Sequence, residues 1–130
     1  MFKSYQPDTV HKPAALYSHA IEVPANARTL YLAGQGGRPL EGVRPTDFEG
    51  QADQAWRNVL NILAAADMGP QDIVRVVTYA TSAEYRDASG AARRKALGDD
   101  IRPVGSFVVV AGLAMPDMLV EIEVTAAKAG

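Results

Sequence analysis

The sequence predicts an α+β fold, a mixed β-sheet with two helices packed on one face. Two observations carry this. Segments rich in β-formers and bounded by Gly, Pro or Asn alternate with two segments that open on a capping-box spacing and close on glycine. Their order is strand, strand, helix, strand, helix, strand, strand. Strands separated by a helix pair in parallel and strands joined by a short turn pair antiparallel, so the sheet is mixed.

Each element follows from its residues. The first dozen, with Pro7 near their middle, read as an irregular arm. Ala15 to Val23 holds a short strand stopped by Pro24-Ala25-Asn26, and Thr29 to Ala33 is a second, ending in Gly34-Gln35-Gly36-Gly37. Arg38 to Pro45 is a loop. Thr46 and Glu49 then have capping-box spacing, and Ala52, Ala55, Trp56, Val59, Leu60 and Leu63 recur on one helical face until Gly69-Pro70.

Ile73 to Thr81 is a strand with Val74, Val76 and Thr78 on one face and Ile73, Arg75, Val77 and Tyr79 on the other. Thr81 and Glu84 repeat the capping spacing before a helix from about Ala83 to Leu97, ended by Gly98. Phe107 to Ala111 is apolar on both faces and reads as a central, fully buried strand. Met118 to Ala126 alternates, with Leu119, Glu121, Glu123 and Thr125 opposite Val120, Ile122 and Val124. Two helices cover one face of such a sheet. The other needs a subunit partner.

Size and composition bound the function. The chain has 130 residues, no internal repeat and no shift of composition, so residues 1–130 are expected to form a single domain. The absence of cysteine excludes disulfides, thiolate metal sites and a cysteine nucleophile. A net charge of −2 argues against a nucleic-acid partner. The N-terminus has no apolar signal region, and the longest apolar stretch, Phe107 to Met115, is far short of the ~20 residues of a membrane helix. A cytoplasmic protein with no membrane partner is expected.

Chemistry-bearing residues are few. His11 and His19 lack a carboxylate placed to complete a ligand set, so no metal is expected. Gly34 to Gly37 lacks the Walker lysine and the dinucleotide fingerprint, and reads as a turn whose bare backbone is open to a ligand. Arg86, Arg93, Arg94 and Lys95 read as a solvated basic face. Glu121 and Glu123 share a strand face. Their spacing fits a solvent-facing strand and a catalytic carboxylate equally.

The run Pro103 to Leu113, followed after a short turn by Leu119-Val120-Glu121-Ile122-Glu123, resembles the signature of the RidA/YjgF family, also known as L-PSP endoribonucleases or enamine/imine deaminases. Tyr17-Ser18-His19-Ala20, Leu32-Ala33-Gly34-Gln35, and Asp67 to Gly69 with Asp72 to Val76 are similar to three further segments of that family. The resemblance implies a chorismate-mutase-like fold and a homotrimer with small-molecule clefts between subunits. It also implies hydrolysis of 2-imino or enamino acids to keto acids and ammonia, without metal or cofactor.

The family's catalytic glutamate falls on Glu121, and its substrate-binding positions fall on Tyr17, Gly34, Gly105 and Phe107. Gly105 stands where the family has its carboxylate-binding arginine, and Ala33 replaces the serine before the glycine turn. Losing the guanidinium removes about 1.5–3 kcal/mol of charge-assisted binding, so a simple 2-imino acid should bind poorly. Gly105 is expected to leave open the volume of the missing side chain, and strong 2-imino-acid hydrolysis would point to another anchor, Arg102 or Arg28. The activity implied is hydrolysis of another imine, enamine or related C–N bond. The alternatives are a non-catalytic metabolite-binding trimer and, with less support, a ribonuclease.

Overall fold

The computed structural model describes residues 2–130. Eight elements follow in order: β1 (Lys3–Tyr5), β2 (Ala20–Glu22), β3 (Arg28–Tyr31), α1 (Phe48–Ala65), β4 (Ile73–Ala80), α2 (Arg86–Leu97), β5 (Val104–Val109) and β6 (Val120–Lys128). The main sheet has the order β3-β6-β4-β5. The β4–β5 pair, joined through α2, is parallel, and β6 runs antiparallel to both β3 and β4. This is the expected α+β architecture.

The core lies between this sheet and the helices. The alternation of β6 sends Val120, Ile122, Val124 and Ala126 inward, where they meet Ala52, Ala55, Trp56, Val59 and Leu63 of α1 and Ala92 and Leu97 of α2. Both helices thus share one face of the sheet, while Glu121, Glu123 and Thr125 project from the other. A β-bulge between Ile73 and Arg75 alters the β4 pattern. It turns Ile73 from the face its spacing assigns it into the core.

Helix starts differ from the capping-box expectation. α1 is capped at Asp47, which makes no side-chain capping bond, and not at Thr46. Its first residue, Phe48, is buried and stacks on Tyr85 at 4.4 Å between ring centroids. Packing of that ring sets the start. Thr81 does not cap α2 because its N–H still bonds the Leu119 carbonyl beside the sheet. Ser82 instead accepts from the Glu84 N–H at 3.2 Å, and one 3-10 turn, Ala83–Tyr85, precedes α2. Gly69 does not end α1, which stops at Ala65. Its N–H bonds the Asp72 carboxylate at 2.8 Å, closing the 3-10 turn that launches β4.

Two strand expectations are also corrected. The arm is not wholly irregular: β1 pairs antiparallel with β2, and the Tyr5 hydroxyl donates to Glu22 at 2.6 Å. Backbone pairing and this one bond make the hairpin, with no apolar alternation to announce it. The apolar strand β5 is an edge strand, not a central one, and within one chain Val108 is 36% and Val109 49% exposed. Among the described residues no helix is long and apolar enough to cross a membrane.

Candidate functional site

Tyr17, Gly105 and Phe107, three of the five residues singled out from the sequence, line one cleft of about 290 Å³. Its floor is the helix-facing side of the sheet edge, where Val76 and Thr78 of β4 stand opposite Gly105 and Phe107 of β5. Its wall is α2, through Arg86, Ser89, Gly90 and Arg93, positions one turn apart on one helical face.

Tyr17 is held there by its neighbours. The buried Ser18 donates its hydroxyl to the Arg102 carbonyl at 2.6 Å and its N–H to the Pro103 carbonyl at 3.2 Å. The Arg93 Nη2 donates to the Leu16 and Ile101 carbonyls. The arm before β2 is thus pinned to the approach of β5 on both sides of Tyr17. Tyr17 also borders a second cavity, of about 490 Å³, lined by arm residues with His11 and Arg102.

Glu121 and Gly34 lie elsewhere. On β4, Thr78 stands opposite Phe107 while its neighbour Tyr79 stands opposite Glu121. Successive strand residues point to opposite faces, so within one chain Glu121 lies on the side of the sheet away from the cleft. Gly34 is beside it. After β3 the chain continues along β6, with the Leu32 N–H on Val124 and Gln35 bridged to Ile122. Ala33 and Gly34 therefore oppose Glu123 alone, an extra residue, and a Cβ on Gly34 would lie 2.6 Å from the Glu121 carboxyl carbon.

The two glutamates are not equivalent. Glu123 has Arg75 within 3.9 Å. Glu121, half-buried, has no cationic partner among the described residues. Glu121 is therefore the one of the two without a counter-charge beside it.

Gly105 does not leave room for an arginine. A Cβ there would overlap the Val76 carbonyl oxygen of the neighbouring strand, so even alanine does not fit without moving backbone. Arg28 is committed to the Ala66 carbonyl at 3.2 Å, and Arg102 lines the adjoining cavities and not this cleft. The histidines serve the arm: the His19 ring donates Nε2–H to the His11 carbonyl at 2.6 Å. Among the described residues no group of three or more His, Cys, Asp or Glu side chains is placed to hold a metal.

The family model for endoribonuclease L-PSP matches residues 9–128. The chain belongs to this family, the RidA/YjgF family. A Rid-family protein of unknown function from Yersinia pestis, YyfB, is 33% identical over 97% of this chain and 98% of its own, with a TM-score of 0.83. A Mycobacterium tuberculosis member of the YjgF/YER057c/UK114 family is 32% identical over 86% of each chain, with a TM-score of 0.68. RidA from an Antarctic Psychrobacter is 26% identical over 97% of this chain and 99% of its own, with a TM-score of 0.71. No curated protein sequence matches the chain.

Two cleft residues of this RidA/YjgF chain escape a reading of the sequence as a basic run. Arg94 and Lys95 are the solvated residues that reading describes, paired with Asp99 at 2.8 Å and Asp53 at 3.0 Å. Arg86 and Arg93 instead line the cleft and have no carboxylate partner among the described residues. Burial first, and then the nearby Arg102 and Arg94 charges, hold the Arg93 guanidinium below its ordinary pKa. The spacing of 86, 89, 90 and 93 was the available signal.

Proposed function

We propose that this RidA/YjgF protein binds a small metabolite in a cleft completed between subunits and hydrolyses an imine, enamine or related C–N bond. The observation that carries the reading is the pairing of a half-buried Glu121, without a cationic partner among the described residues, with a glycine that brings backbone against it. In the proposed homotrimer the uncovered sheet face of one subunit, bearing Glu121 and Gly34, lies against the Tyr17–Gly105–Phe107 cleft of the next. The apolar edge strand β5 and Tyr31, 79% exposed, are the surface such packing would cover.

Glu121 takes a proton from water as its oxygen adds to the imine carbon. That proton passes to the nitrogen to give a carbinolamine, whose hydroxyl proton is then transferred to nitrogen as the C–N bond breaks, expelling ammonia or an amine and leaving a carbonyl. Water is the sole co-reactant. General-base help of this kind contributes ~10²–10⁴-fold.

The missing arginine favours a substrate other than the simplest 2-imino acid, and it also supports the non-catalytic alternative. The test is keto-acid and ammonia release from 2-imino acids, and carboxylic-acid and amine release from acylated amines, with sedimentation to give the subunit number. Turnover of at least one larger substrate, lost in Glu121→Ala, is expected. Ligand binding with no turnover across the panel overturns catalysis in favour of a binding protein. RNA cleavage that survives repurification would favour the ribonuclease.

A further inference from the structure

The cleft beside Gly105 has an unusual electrostatic lining for a chain of net charge −2. Two arginines, Arg86 and Arg93, line it with Tyr17, Thr78 and Ser89, and among the described residues of one chain no Asp or Glu lines it. Every other Arg or Lys on α2 has an acidic partner, Arg94 with Asp99 and Lys95 with Asp53. The Arg86 side chain makes no hydrogen bond or ion pair among the described residues. Arg93 spends Nη2 on two carbonyls, and its Nε is buried with no partner. A guanidinium that lines a cleft without an acidic partner favours an oxyanion as its counter-charge.

We infer that Arg86 and Arg93 of α2 form an oxyanion subsite in this cleft, which takes the carboxylate or phosphate group of the ligand. Position 105 sits in the sheet and these arginines project from the helix above it. An anion held by them lies on the helix side of the cleft, set back from the strand. That geometry suits a ligand whose acid group is separated by a spacer from the carbon that reacts. The inference rests on the cleft proposed above as the ligand site, and it deepens that reading by naming the group recognised and the residues that hold it.

Arg93 also fastens Leu16 and Ile101, so its removal alone confuses binding with folding. Arg86 carries no such duty. The test is calorimetric titration of the full-length protein with glutarate and, separately, inorganic phosphate, at low and high salt, without any turnover assay. Saturable binding is expected, weakened about tenfold or more in Arg86→Gln, further weakened in the Arg86→Gln/Arg93→Lys pair, and unchanged in Arg94→Gln. A preference for glutarate marks a carboxylate ligand and a preference for phosphate a phosphorylated one. The Arg93 Nε–H NMR signal should shift on titration. Absence of saturable binding by both anions, or equal binding by wild type and Arg86→Gln, overturns the subsite. Because this measurement reads binding and not turnover, the subsite and the hydrolysis can fail independently.

Discussion

Glu121 and Gly34 are packed so closely that a methyl group on the glycine would lie 2.6 Å from the glutamate's carboxyl carbon. The obstructing atoms are the far end of a flexible side chain, so Gly34→Ala displaces the carboxylate and leaves the strands in place. Its stability should change by less than about 1 kcal/mol. Turnover should fall roughly 10- to 100-fold, because a general base moved by an ångström loses its alignment. Thermal unfolding and C–N hydrolysis measured on the same preparation separate the two effects. A variant that is much less stable would show that Gly34 is a backbone requirement and not a space kept for Glu121.

Gly105 presents the opposite situation, since the atom in the way is a backbone carbonyl, that of Val76 on the adjacent strand. Even Gly105→Ala must push β5 away from β4. A loss of more than about 2 kcal/mol is expected, read as a lower urea midpoint. An arginine placed at 105 should fold still less well, so restoring the missing guanidinium at that position does not restore imino-acid binding. A midpoint within experimental error of wild type would show that β5, an unsupported edge in one chain, shifts freely.

These two glycines also show what the sequence could and could not convey. The element order, the mixed pairing and the inward face of β6 were legible, because strict alternation and three-four spacing state which side of an element avoids water. The place of β5 was not. An apolar run such as Phe107 to Ala111 records how thoroughly a strand is shielded, not what shields it, and β5 lies at the sheet edge. Ile73 was assigned to the wrong face because a bulge shifts the period without leaving a residue signature. At the site, Tyr17, Gly105 and Phe107 do line one cleft. The separation of Glu121 from them follows from register on β4, which composition does not encode. Arg86 and Arg93 were hidden in a run of like charges whose other members are solvated.

Gln51 is a fully buried polar side chain in the apolar face of α1, and all of its bonds reach loops. Nε2 donates to the Pro45 and Asp117 carbonyls, each at 2.8 Å, and Oε1 accepts from the Leu119 N–H at 2.8 Å. The last two partners lead directly into β6 and Glu121. Gln51→Met keeps most of the volume but leaves these buried groups unpaired. A loss of about 2–4 kcal/mol is expected, with an unchanged dependence on urea concentration. Gln51→Glu should be milder at low pH, where a protonated carboxyl can donate one of the bonds. Equal loss in both variants at every pH would mean that volume, and not hydrogen bonding, holds the position.

The β1–β2 hairpin depends on pH through Tyr5. Its hydroxyl donates to Glu22 at 2.6 Å. That bond first, then desolvation and the carboxylate charge, raises the Tyr5 pKa above its ordinary value. A group whose folded pKa is raised binds its proton more tightly in the folded state. Its contribution is therefore complete below the unfolded phenol pKa of about 10, and is lost as pH rises through the raised value. The difference in tyrosinate absorbance between wild type and Tyr5→Phe should show Tyr5 ionising above that value. Amide exchange at Ser4 and Ile21, register partners in the hairpin, should lose protection over the same interval. In Tyr5→Phe the protection is already reduced at neutral pH and should show no such step. A Tyr5 midpoint at or below the unfolded value would mean that the bond to Glu22 does not form in solution.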